Sequence, residues 1–111
     1  MNDQPGFVEG KHYTEYVGQV KHMCCNLEHE AVIDLLLRLI DANEKESVAE
    51  GSGVSPWYYE RLADTYAELG RPDEEIAILE RFAAQDHAAG TSAAKLLERL
   101  RGLAAARSRH R

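Results

Sequence analysis

Along most of the chain, apolar residues recur at spacings of three and four, which is the signature of helices that bury one face. Tyr13, Tyr16, Val17, Val20 and Met23 or Cys24 predict a first helix over residues 11–24. Gly18 lies within it, lowers its intrinsic stability by ~1 kcal/mol relative to Ala, and is read as a point of close approach by a neighbouring helix. Asn26 is read as the N-cap of a second helix, with Glu28 and Glu30 in the first turn, where carboxylates favour the positive end of the helix dipole. Ala31, Val32, Leu35, Leu36, Leu39 and Ile40 form a broad apolar stripe that Ile33 and Leu37 widen further. A helix that is apolar on more than one side belongs at the centre, between two neighbours. It extends through the polar stretch 41–50 and ends at Gly51, Ser52 and Gly53.

Ser55 and Pro56 open a third helix, because proline is tolerated where the first backbone N–H has no partner. Tyr59, Leu62, Ala63, Tyr66 and Leu69 follow, and Gly70 is the stop. Pro72 starts a fourth helix with Asp73, Glu74 and Glu75 in its first turn and Ile76, Ile78, Leu79, Phe82 and Ala83 as its apolar set. Gly90 breaks the chain, and Thr91 or Ser92 caps a fifth helix lined by Ala93, Leu96, Leu97, Leu100 and Leu103. No segment alternates with period two, so no strand is expected. The prediction is an all-α chain of about five helices, arranged as antiparallel helical hairpins with a C-terminal capping helix. Residues 1–10 form a flexible lead-in, residues 11–106 a single helical domain and residues 107–111 a basic tail.

Residues 56–83 resemble one tetratricopeptide repeat. Tyr59, the large-then-small pair Leu62 and Ala63, Tyr66, the turn glycine Gly70, and then Glu74, Ile76 and Leu79 carry the resemblance. The small Ala63 lets two helices approach, the large residues fill the groove between them, and Gly70 permits a tight reversal. The chain departs from the family where Glu75 and Phe82 stand in place of alanines and where the closing proline is missing. Residues 13–40 resemble a second, degenerate unit, with Asn26, Ala31 and Leu35 at its turn, small and large positions. The resemblance implies a tetratricopeptide-like fold and a module that binds protein partners.

The net charge of −6 is unevenly distributed. Residues 1–90 are acidic, whereas residues 91–111 hold six Lys or Arg and one acid. An acidic body repels phosphate backbones, so nucleic acid is an unlikely partner. The two cysteines, Cys24 and Cys25, are adjacent and poorly placed to bond each other, in keeping with a reducing compartment. Without an apolar run of ~20 residues or an apolar core in residues 1–10, neither a membrane span nor a cleaved signal is expected. A soluble cytoplasmic protein is the expectation.

His22, Cys24, Cys25 and His29 lie close together at the first hairpin turn and are of the residue types that bind zinc. Adjacent cysteines point in different directions, however, so the favoured reading is one small core cysteine and surface histidines, with no metal and no cofactor. Glu44, Glu46, Glu50, Asp73, Glu74 and Glu75 are read as solvated helix-face and first-turn acids. No nucleophile or phosphate loop accompanies them, so no enzymatic activity is expected.

Trp57, Tyr58 and Tyr59 are consecutive and cannot all face one core. Trp57 and Tyr58, with Ile33 and Leu37 off the main stripe of the second helix and Ile78 off that of the fourth, are the candidate protein-binding residues. The expected function is a small non-enzymatic adaptor that binds a protein or peptide, a second copy of itself included, as a two-fold homodimer. The alternative is a nucleic-acid-associated regulator acting through the basic fifth helix and tail.

Overall fold

The computed structural model describes residues 5–87 and 90–109. Five α-helices make up most of it: α1 (Val17–Cys25), α2 (His29–Glu50), α3 (Pro56–Glu68), α4 (Pro72–Ala83) and α5 (Thr91–Arg109). The fold is all-α apart from two very short antiparallel strands, β1 (Phe7–Val8) and β2 (Lys11–His12).

The N-terminal segment corrects the sequence reading. Residues 5–10 are not a free lead-in, and the first helix does not start at residue 11; residues 1–4 lie outside the described residues. Phe7 pairs with His12 and Val8 with Lys11 across a two-residue turn. Both turn residues, Glu9 (φ 49°) and Gly10 (φ 85°), are left-handed. That backbone matches the twist of the flanking strands in a tight hairpin. A single turn of 3₁₀ helix (Tyr13–Tyr16) then leads into α1. Val8 is buried, and the Tyr16 hydroxyl donates to its carbonyl at 2.7 Å, so the hairpin is part of the core.

Asn26 closes α1 and does not open α2. Leu27 follows in the left-handed region (φ 56°), with its N–H on the Cys24 carbonyl and that of Glu28 on the Met23 carbonyl, both at 3.1 Å. This is the paired helix-end motif that usually carries glycine. The end of α3 uses glycine for the same motif: Gly70 (φ 69°) donates to Ala67 at 3.1 Å and Arg71 to Tyr66 at 2.9 Å. α2 ends at Gly51 as its sequence predicts. Open space surrounds the position a side chain would take at Gly18, so no helix approaches closely there.

α2 is the central element and touches α1, α3, β1 and the 3₁₀ turn. Leu36, Leu39 and Ile40 are fully buried on it. α3 and α4 share the most extensive helix–helix interface, with Tyr59, Leu62, Ala63, Leu79 and Phe82 buried. α5 lies across α3 and α4 and inserts Ala93 and Leu96. Arg107 and Arg109, assigned from sequence to a tail, are helical; the rest of that tail, residues 110–111, lies outside the described residues.

Candidate functional site

Three of the five residues predicted to contact a partner are instead core. Ile33, Tyr58 and Ile78 are buried within the single chain. The reason is the number of neighbours: α3 meets α2, α4 and α5, and the Tyr58 ring also packs edge-on against Tyr13 at 5.2 Å. Burial pushes the Tyr58 hydroxyl up to about 12. Trp57 is half-buried, edge-on to Tyr58 at 5.0 Å, with the Arg61 guanidinium 5.5 Å from its ring centre. Leu37 alone among the five reaches solvent as an exposed side chain, at 36%.

Leu37 lies in a groove of about 390 Å³ between the N-terminal hairpin and the outer face of α2. Gly6, Phe7 and Val8 form one wall; Leu37 and Ala42 contribute apolar surface from α2. Phe7 is 41% exposed and was not singled out by the sequence, because it falls in the stretch read as flexible. The charged residues of the groove are Asp34, Arg38, Asp41 and Lys45. Arg38 bonds Glu9 of the hairpin and lies 3.9 Å from Asp34, and Lys45 meets Asp41 at 3.1 Å. A second tie fixes the hairpin: His12 Nε2 and Glu46 Oε2 are 2.6 Å apart, and His12 Nδ1 accepts from the Thr14 backbone. These polar contacts tie the hairpin to α2 beside the groove, and Phe7 and Leu37 are its exposed apolar side chains.

The acids read as a solvated face divide into two groups. Glu50, Asp73 and Glu74 are exposed, as expected of helix-surface and first-turn carboxylates. Glu44, Glu46 and Glu75 are not. Glu44 accepts from the Tyr59 hydroxyl at 2.7 Å and from Arg81 at 2.8 and 2.9 Å. Burial, and after it that bond, drives the Tyr59 hydroxyl far above its ordinary range. Glu75 is buried and binds Arg99, which also holds Asp64 at 2.8 Å. These are clamps between helices: α2 to α3 and α4 through Glu44, α4 and α3 to α5 through Arg99.

The thiols and imidazoles at the first turn point to separate partners. His22 Nε2 meets the Asn26 side chain at 3.0 Å, and His29 meets Glu68 at 3.1 Å. Cys24 is half-buried, which raises its thiol pKa, and Cys25 is exposed. Among the described residues, no three His, Cys, Asp or Glu side chains are grouped to hold a metal ion. No helix among them is long and apolar enough to cross a membrane. The chain matches no family model, no characterised protein and no solved structure.

Proposed function

We propose that this chain is a small non-enzymatic adaptor that binds protein through the groove between its N-terminal hairpin and α2. The observation that carries this reading is the pairing of exposed Phe7 and Leu37 across a groove braced at Arg38–Glu9 and His12–Glu46. Exposed apolar side chains on a fixed frame bind protein surface without ordering cost to the frame. The α3–α4 hairpin supports the resemblance to a tetratricopeptide repeat: Ala63 is buried where the helices approach, beside Leu62 and Tyr59. Its two free cysteines suit a reducing compartment, and we assign the protein to the cytoplasm.

The nucleic-acid reading draws less support. Arg99 is engaged by Glu75 and Asp64, and Arg107 lies 3.8 Å from Asp73, so these cations of α5 face the chain's own acids. The test is capture from a native extract on the intact chain, run beside Leu37→Asp and with nuclease treatment. The expected result is a protein that resists nuclease and is lost with Leu37→Asp. Retention of nucleic acid alone, or retention indifferent to Leu37→Asp, overturns the proposal.

A further inference from the structure

We infer that the partner is a second copy of this chain, docked through the exposed ridge of α2 with the two helices antiparallel about a two-fold axis. This inference rests on the protein-binding reading above and names the partner. The ridge consists of Ala31, Asp34, Arg38, Asp41, Lys45 and Val48, all exposed and spaced alternately three and four residues apart. That spacing keeps them in one line along the helix, over ~25 Å at 1.5 Å per residue. Val48 is 84% exposed, an unusual state for a β-branched apolar residue on a helix this central.

The order of chemistry along the ridge is self-complementary. Residues equidistant from the midpoint, between Leu39 and Ile40, form matched pairs. Arg38 matches Asp41, Asp34 matches Lys45, and Ala31 matches Val48. When a helix is laid antiparallel on its copy about a two-fold axis, residues equidistant from that axis face each other, and every pairing is made twice. Each charge then meets its opposite, and each apolar residue an apolar one. A parallel arrangement would set Arg38 against Arg38 and Asp41 against Asp41, which charge repulsion disfavours. Within one chain Asp34–Arg38 and Asp41–Lys45 are exposed pairs, and Arg38 also bonds the exposed Glu9 of the hairpin. Such pairs contribute little by themselves and leave each carboxylate able to accept a second cation. The flanking groove supplies Phe7 and Leu37 as apolar surface beside the ridge.

The outer charges, Asp34 and Lys45, provide the test because their ion pairs are with Arg38 and Asp41 of the same helix and both are well exposed. Light scattering at low salt on the wild-type chain should show the mass rising from 12.4 kDa toward twice that value with concentration. Asp34→Lys or Lys45→Asp alone sets like charges together twice, and each should weaken self-association about tenfold or more. Mixing the two single variants should restore the doubled mass, since one chain then offers two lysines to two aspartates of the other. The double variant Asp34→Lys with Lys45→Asp should also dimerise, although its pairs within the chain to Arg38 and Asp41 are now like-charged. Rescue in that variant must therefore come across the interface. A wild-type mass fixed at 12.4 kDa, or single variants that dimerise like wild type, or no rescue on mixing, overturns the inference. If capture still yields a protein lost with Leu37→Asp while the wild-type chain stays single, this inference falls and the adaptor reading stands. Failure of both experiments removes the adaptor reading as well.

Discussion

Replacing Glu44 by Ala tests whether the fold depends on a half-buried carboxylate in a stretch whose sequence reads as a solvated extension. Its side chain is 16% exposed and serves three donors on two other helices. Truncation removes hydrogen bonds to a charged group, worth ~1.5–3 kcal/mol, and leaves the Tyr59 hydroxyl buried without its acceptor, at a further ~1–3 kcal/mol. Arg81 is 35% exposed and recovers part of its loss by turning to water. The net expectation is destabilisation by ~2–4 kcal/mol, a large share of the ~5–15 kcal/mol typical of a domain. In urea the midpoint should fall by ~1–2 M with an unchanged slope. Glu98→Ala removes an exposed 4.0 Å pair with Arg101 and should stay within ~0.5 kcal/mol. Combining Glu44→Ala with Tyr59→Phe should cost less than the sum of the two, because both act on one hydrogen bond. If Glu44→Ala shifts stability by no more than Glu98→Ala does, the clamp is an ordinary surface pair and the reasoning fails.

Three further outcomes follow from the packing and the backbone. Leu39→Ala deletes a fully buried side chain at the centre of α2 and should cost ~2–5 kcal/mol in the same urea titration; a silent substitution would contradict the central placement of α2. Leu27→Gly relieves a left-handed leucine that is 69% exposed and should raise stability by ~0.5–1 kcal/mol, read as a higher melting temperature; a lower one would show that the Leu27 side chain contributes packing worth more than the backbone strain. The folded state holds Tyr58 and Tyr59 neutral above the ordinary phenol value of 10.0, so the unfolded chain loses those protons first. Stability is intact below pH ~10 and falls as pH rises toward 12, where tyrosinate absorbance and loss of helical circular dichroism should appear together; ionisation of all tyrosines with the helices intact would refute this.

The helices were legible because each is long enough to repeat its period several times and is punctuated by proline or glycine at its ends. The N-terminal hairpin was not, for the opposite reason. Strands of two residues cannot display alternation, and the turn uses Glu9–Gly10 where Asn or Asp before Gly is the usual signal. Losing the hairpin meant losing Phe7 and with it one wall of the groove. The Glu44–Arg81 and His12–Glu46 contacts join residues more than thirty positions apart, and neither residue of either pair carries a local mark of its partner. Leu37 was found because it lies off the apolar stripe of its own helix. The same criterion failed at Ile33 and Ile78, since a helix with neighbours on several sides buries residues that one stripe leaves out.

The allocation of charge then bears on how a second copy can dock. An acidic body and a basic C-terminal helix can attract each other between copies. In the folded chain Arg99 and Arg107 turn to Glu75, Asp64 and Asp73 of the same molecule, so part of that attraction is satisfied before any partner arrives. A two-fold contact must therefore draw on charges that remain arrayed toward solvent, and those on the α2 ridge alternate in sign instead of clustering by sign. An alternating line has no long-range field to steer association, but it specifies register: a shift of one helical turn sets acids against acids and bases against bases. Salt should weaken such a contact modestly, because each exposed pair is small to begin with. Reversal of sign at one position should weaken it far more, because repulsion is then repeated on both sides of the axis.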